Sequence, residues 1–275
     1  MKRKSCTAII LAAGQGKRMG GDVHKQFLEL EGHPVVYYSI RAFQESPLID
    51  RILLVTGETE IDYVKTEIVE KYHFDKVSAV VAGGHERYAS VWNGLKALGK
   101  SLSEEEKAGF VFIHDGVRPF INEEILRRAF DAVEIYHACV VGMPSKDTVK
   151  IADTDGFVSA TPARSLVWNV QTPQVFDFSL AYRAYAALEE SGRSDVTDDS
   201  MIIEAFTDTK VKLVEGSYEN IKLTTPEDRK IAETFLHNQI YENPDRKPIR
   251  GMGKSGVLRT GFCFLFIKAK GKGKV

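Results

Sequence analysis

Cysteine is scarce in this chain: Cys6, Cys139 and Cys263 stand far apart in 275 residues, with no C-x-x-C among them. An odd, scattered set argues against a disulfide framework or a cysteine-ligated zinc site and suits a reducing cytoplasm. Net charge is lacking too, since 37 Lys and Arg offset 38 Asp and Glu to leave −1. Without a global field to gather nucleic acid or an anionic membrane surface, neither is expected as a partner. Apolar runs are short, none reaching the roughly 18 residues that span a bilayer. The run at 6–13 follows Lys2, Arg3 and Lys4 in the manner of a secretory signal, but it opens into a Gly/Lys/Arg loop and reads as a strand. Any anion site in so balanced a chain must be local.

With 43% hydrophobic residues the chain can bury the core of one large domain. Short β-branched runs at 7–13, 51–55, 77–81, 110–114 and 139–143 alternate with helical patterns at 34–46, 61–72, 86–98 and 123–136. This alternation predicts an α/β fold with a mostly parallel sheet. Residues 146–168, rich in Thr, Asp, Val and Ser, turn at Asp153-Thr154-Asp155-Gly156 and predict an extended hairpin-like arm over about 145–168. A strand at 170–175, helices at 179–190 and 198–206, a strand at 211–214 and a helix from Pro226 complete the fold. Thr197 and Thr225 are the expected N-caps of the last two helices. Residues 1–240 are thus expected to form the domain, and the Gly-, Lys- and Arg-rich 241–275 a disordered or appended tail.

Three clusters carry chemistry. Ala12-Ala13-Gly14-Gln15-Gly16-Lys17-Arg18-Met19-Gly20 follows the first strand, with Lys25 close behind. Glycine-exposed amides fit a phosphate chain, small alanines leave room for a nucleotide, and Arg18 and Lys25 supply full charges. The run is neither a Walker A loop, lacking Gly-Lys-Ser/Thr, nor G-x-G-x-x-G, having Met19 in place of the last glycine. A ligand-free turn remains the alternative. Gly83-Gly84-His85-Glu86-Arg87-Tyr88-Ala89-Ser90, after the third strand, permits close backbone approach and aims a helix dipole at an anion, although a plain glycine turn fits equally. His114-Asp115-Gly116-Val117-Arg118-Pro119 ends the fourth strand, where an open α/β sheet has its ligand crevice. Asp115 there either holds Mg²⁺ on a triphosphate or caps the turn, and His114, with no ligating neighbour, reads as structural.

Together with Lys25-Gln26-Phe27, Gln171-Thr172-Pro173-Gln174 and Asn220-Ile221-Lys222, these motifs stand in an order that resembles the 2-C-methyl-D-erythritol 4-phosphate cytidylyltransferases over roughly residues 5–240. The resemblance implies a Rossmann-like three-layer α/β/α nucleotidyltransferase fold with a protruding β-arm and a homodimer joined through that arm. It also implies CTP as co-substrate, Mg²⁺ or another divalent cation, and a step in non-mevalonate isoprenoid synthesis. Under it, Arg18 and Lys25 stabilise the pentacoordinate α-phosphate, while Arg164 and Lys222 place the sugar phosphate. Ala12, Ala13, Gly14, Gly16, Gly84, Arg87, Ser90, Asp115 and Gly116 would contact the nucleotide. Arg118, Thr148, Thr172, Thr197 and Glu219 would join Arg164 and Lys222 around the sugar phosphate, with Asp115 and Glu219 on the metal side. His85 stands where some members carry Asp, and Glu219 where some carry a shorter carboxylate.

Two other enzyme classes account for fewer of these residues. The sister enzyme that forms CDP-ribitol from ribitol 5-phosphate shares many of these motifs, but its loop usually begins Ala-Gly-Gly rather than Ala12-Ala13-Gly14, and it lacks the Arg164-Ser165-x-x-Trp168 pattern. An NAD(P)-dependent Rossmann oxidoreductase needs an acid at the end of the second strand, which here runs into Val55-Thr56-Gly57 before Glu58.

Overall fold

The apolar heptapeptide β1 (Cys6–Ala12) is buried along almost its whole length, as a parallel strand covered by helices on both faces must be. The computed structural model describes residues 3–14 and 24–242. After β1 come a small antiparallel ribbon, β2 (Glu29–Leu30) with β3 (His33–Pro34), then α1 (Val35–Glu45) and β4 (Arg51–Thr56). Helix α2 (Ile61–Tyr63) runs into a π-helical turn, Val64–Glu70, and leads to β5 (Val77–Ala82), α3 (Arg87–Ser101) and the short α4 (Glu104–Lys107). Next are β6 (Phe110–Asp115), α5 (Glu123–Tyr136) and β7 (Ala138–Pro144), then the arm strands β8 (Ile151–Ala152) and β9 (Val158–Ala160). The chain continues through β10 (Trp168–Asp177), α6 (Phe178–Ser191), α7 (Asp199–Phe206), β11 (Lys212–Glu215) and α8 (Pro226–Glu242).

Seven strands form one sheet in the order β11-β7-β10-β6-β1-β4-β5. All neighbours are parallel except β10, which runs antiparallel to both β6 and β7. Side-chain alternation sends Ile10, Leu54 and Phe112 to one face, against α1 and α5 residues such as Ile40, Phe43, Leu126 and Val133. It sends Ile9, Leu53 and Ile113 to the other, against Val91, Leu95, Ala184 and Ile202 of α3, α6 and α7. The chain moves outward from β1 through β4 to β5, then returns to β6 on the other side of β1. This reversal makes the carboxyl ends of β1, β4 and β6 a switch point, where such sheets hold ligands.

Local chemistry explains the boundaries. Pro34 stands at the N-cap of α1, where its missing N–H leaves no helical bond unmade. The Asn122 side chain accepts the Ile125 amide at the start of α5, and His137 ends that helix in the left-handed region at φ 64°. Helix α7 departs from expectation by one residue: Asp198, not Thr197, is its N-cap and accepts the Met201 amide at 3.0 Å. The predicted helix at 61–72 turns π-helical, a wider winding that keeps Val64 and Ile68, four apart, on the core. In the arm, Asp153 accepts the amides of Asp155 and Phe157, and Gly156 adopts φ +86° between them. Phe157, Val158 and Leu166 there stay exposed. Of the tail expected at 241–275, the first two residues belong to α8 and 243–275 lie outside the described residues. Among the described residues no helix is long and apolar enough to cross a membrane.

Phe112 is fully buried in β6 next to the switch point. Phe112→Ala is expected to lower the unfolding free energy by roughly 3–5 kcal/mol in guanidinium titration. A loss under about 1 kcal/mol would mean that this part of the core collapses around the deletion.

Candidate active site

Strand register brings three loops to one level. Leu11 pairs with Asp115 across β1 and β6, Ala12 with Thr56 across β1 and β4, and Thr56 with Ala82 across β4 and β5. The segments after β1, β5 and β6 therefore leave the sheet side by side. They approach so closely that a Cβ on Gly83 would lie 2.5 Å from the Ala13 Cβ and 2.8 Å from the Ser90 Oγ. A Cβ on Gly84 would meet the Ala89 Cβ at 2.5 Å. Glycine at both positions is thus a steric requirement of loop contact. Ser90, buried in the first turns of α3, accepts the Gly84 amide at 3.0 Å and donates to the Glu86 carbonyl at 3.1 Å, which fixes the turn.

These loops enclose a cleft of about 650 Å³. The first loop contributes Ala12, Ala13, Gly14 and Lys25, whose Cε lies 3.7 Å from where a Gly14 Cβ would stand. The second contributes Gly84, His85, Arg87 and Ser90, with the amino end of the 15-residue α3 facing the cleft, a natural anion seat. Asp115 and Val117 come from the third, and Lys222 and Thr224 from the segment before α8.

The electrostatic centre is Asp115, only 6% exposed. Its Oδ1 meets Arg87 Nε at 3.1 Å, and its Oδ2 meets Lys222 Nζ at 2.8 Å and Arg118 Nε at 3.9 Å. Burial alone would raise this carboxyl, but Arg87, Lys222 and Arg118 outweigh it and hold the group well below the usual carboxylate range. Arg87 in turn directs Nη1 and Nη2 to Asp199 at 2.7 and 2.8 Å.

Behind Asp115 lies a buried scaffold. The Thr172 hydroxyl accepts the Asp115 amide at 3.1 Å and donates to His114 Nδ1 at 3.0 Å, while His114 Nε2 donates to the Arg118 carbonyl at 3.2 Å. This assigns His114 as the neutral Nε2–H tautomer. Arg118 Nη1 donates to the Asn220 carbonyl at 2.8 Å, and Asn220 Nδ2 donates to the Thr172 carbonyl at 2.9 Å. The Ser39 hydroxyl of α1 bonds the carbonyls of Gly116 and Arg118, and the Gly116 amide donates to Leu11 at 2.8 Å.

Of the residues singled out in the sequence, the structure therefore gathers Lys25 and Lys222 with Ala12, Ala13 and Gly14, and with Gly84, Arg87, Ser90 and Asp115. It sets Gly116, Arg118 and Thr172 in the floor. Arg164 and Thr148 are exposed along the arm, Thr197 is exposed before α7, and Glu219 is exposed after β11; none of the four lines the cleft. Gly16 and Arg18 lie outside the described residues. Two further participants have no role that the sequence alone shows. Gln26, 1% exposed, donates from Nε2 to the Ala12 carbonyl at 2.6 Å and so brings Lys25 back to the end of β1. Asp199 is the other.

A cleft at the carboxyl edge of a doubly wound sheet, lined by small loop residues, the amino end of a helix and fixed cations, defines a nucleotide-handling α/β protein. The family model for 2-C-methyl-D-erythritol 4-phosphate cytidylyltransferase matches residues 6–238. A protein of that name from Lachnospira eligens is 46% identical over 231 residues, covering 84% of this chain and 98% of its own. Another, from Lachnoclostridium phytofermentans, is 47% identical over 230 residues, 84% of this chain and 95% of its own. Among solved structures, 4-diphosphocytidyl-2C-methyl-D-erythritol synthase from Anaerococcus prevotii is 38% identical with a TM-score of 0.73, covering 85% of this chain and 99% of that one. The chain belongs to the 2-C-methyl-D-erythritol 4-phosphate cytidylyltransferase family, and its mixed sheet between helical layers is the α/β Rossmann-like nucleotidyltransferase fold.

Burial pushes the His114 imidazole down to about 4, against the opposing pull of the Asp115 charge. Its folded value lies below the unfolded one, so the unfolded chain binds the extra proton. The contribution is full above about pH 6.5 and disappears as pH falls towards 4. The expected loss over that window is roughly 3 kcal/mol, read as the difference in pH-dependent denaturation between the parent and His114→Gln. Imidazole nitrogen shifts that titrate near pH 6.5 in the folded protein would contradict it.

Proposed function

We infer that this chain joins the cytidylyl group of CTP to the phosphate of 2-C-methyl-D-erythritol 4-phosphate, forming 4-diphosphocytidyl-2-C-methyl-D-erythritol and pyrophosphate. The observation that carries the chemistry is the convergence of Lys25, Lys222 and the amino end of α3 on one cleft around Asp115. A phosphate monoester is already an anionic nucleophile at neutral pH, so no base must take a proton from it. One of its oxygens bonds to the α-phosphorus, the bond from that phosphorus to the bridging oxygen breaks, and pyrophosphate leaves with the electron pair. The obstacle is repulsion between two anions that must meet in line, and preorganised positive charge lowers it.

Lys25 and Arg18 are assigned to the α-phosphate. Lys222 has one contact to Asp115 and a side chain 34% exposed, which supports a role in receiving the sugar phosphate. Among the described residues no three His, Cys, Asp or Glu side chains converge as a metal cage. One buried carboxylate fits Mg²⁺ only as an ion shared with nucleotide oxygens, the habit of this cation, and Asp115 would hold it. When bound, Mg²⁺ neutralises triphosphate charge. Glu219, exposed away from the cleft lining, is a weaker candidate.

Arg164, Thr148 and Thr197 belong to a pocket completed by a second copy of the chain, which the exposed Phe157, Val158 and Leu166 of the arm support. Free, buried Cys6 and Cys139 suit a cytoplasmic setting. The dehydrogenase reading gains nothing at the end of β4, because Glu60 Oε2 accepts from the Gly57 amide at 2.9 Å and the Thr56 hydroxyl at 3.1 Å and so closes that turn on itself.

The full chain with CTP, Mg²⁺ and 2-C-methyl-D-erythritol 4-phosphate should release pyrophosphate, and replacing that substrate with ribitol 5-phosphate should not support it; the reverse preference would sink the assignment. Lys25→Ala is expected to lower kcat by about 10²-fold, the scale of one preorganised transition-state contact. Lys222→Ala should weaken use of the sugar phosphate by about 10²-fold while calorimetry shows CTP binding much less affected. Equal loss for both ligands would remove Lys222 from that role.

A further inference from the structure

Asp199 is fully buried at the first position of α7. It accepts both Nη atoms of Arg87, from α3, and the hydroxyl of Tyr185, from α6, itself only 1% exposed. Three helices thus converge on one carboxylate. The third nitrogen of the Arg87 guanidinium, Nε, donates to Asp115. The contrast with Lys222 is one of geometry. Arg87 is gripped by two parallel bonds whose acceptor is itself tied down, whereas Lys222 makes a single contact with the other Asp115 oxygen and is about one third exposed. Asp115 therefore has, beside the more distant Arg118, one locked counter-ion and one that can exchange.

Arg87 lines the cleft, and its side chain is 28% exposed. With its fork free, it would be a strong two-point phosphate ligand. Such a grip would favour bound CTP and bound pyrophosphate as much as the transition state, and uniform binding of that kind does not speed transfer. We propose that Asp199, steadied by Tyr185, is a positioning residue that keeps Arg87 turned onto Asp115 and withholds its fork from the nucleotide's phosphates. The anion beneath an anion-binding cleft then has a purpose. It holds a cation in place for Asp115 when Lys222 turns to the sugar phosphate, and it prevents that cation from trapping the ligands.

This rests on the cytidylyl-transfer reading, and the test separates the two. Asp199→Asn removes the charge at constant shape, and Tyr185→Phe removes one bond to it. Full-length variants are compared with the parent by calorimetric titration with CTP and Mg²⁺, which needs no turnover, and by steady-state kinetics. Asp199→Asn is expected to bind CTP at least about threefold more tightly and to lower its KM, while kcat falls about tenfold, the scale of one charge-assisted contact. Tyr185→Phe should move both quantities in the same directions by less. A loss of packing alone would not tighten CTP. Unchanged or weakened CTP affinity, or tighter CTP with undiminished kcat, overturns the proposal. Should Asp199→Asn fail to fold by circular dichroism, Tyr185→Phe decides by the same criteria. A parent enzyme inactive on 2-C-methyl-D-erythritol 4-phosphate would strike the functional reading, and the CTP titrations would still decide the role of Asp199.

Discussion

The site depends on a negative charge in an unexpected place, the floor of a cleft built for anions. Asp115 is the last residue of a central strand, and its backbone is held in register with Leu11 while its amide is bonded to Thr172. Around it stand Arg87, Arg118 and Lys222, three cations that would repel one another in a low-dielectric setting without it. Arg118, 9% exposed, would be a buried charge lacking its nearest carboxylate. The carboxylate organises positive charge more than it opposes the ligand. Its placement is as accurate as the sheet, since strand ends move less than loops.

The loops on either side obey a different constraint, steric closeness. Gly83 and Gly84 leave no room for side chains because the turns after β1 and β5 touch through Ala13, Ala89 and Ser90. The small residues of the first loop and the paired glycines of the second are therefore one feature seen from two stretches of sequence. The amides of Gly83 and Gly84 are spent within the turn, on the Thr56 carbonyl and the Ser90 hydroxyl, and hold it in shape.

Much of this was legible beforehand, and the exceptions have identifiable causes. The helix at Glu123–Tyr136 matches its periodicity end to end because Asn122 caps it and its apolar stripe is clear. The direction of β10 was not legible, since a buried strand presents the same run of side chains whichever way it travels. Thr197 and Asp198 are both good caps, and a tertiary partner decides between them: Gln174 of β10 bonds Asp198, beside the local bond from Ser200. The ribbon β2–β3 and helix α4 are too short for any period to show. In the cleft, glycines and lysines near strand ends announce themselves. Asp199 does not, because in sequence it is one of two acids at a helix start, and its partner Arg87 is 112 residues away. Gln26 stands in a motif of the sequence, but its bond to the end of β1 shows only in the fold.

The reversed course of β10 has a consequence for the arm. The chain leaves β7 at Pro144 and re-enters the sheet at Trp168, and these two residues are partners in the ladder, with Ser145 still bonded to Val167 at 2.8 Å. Everything between them is a closed detour that departs from and returns to one point on the ligand edge. Such a detour can lengthen, shorten or change its tip without shifting a single rung of the sheet, so natural variation in reach can accumulate there while the catalytic frame stays constant.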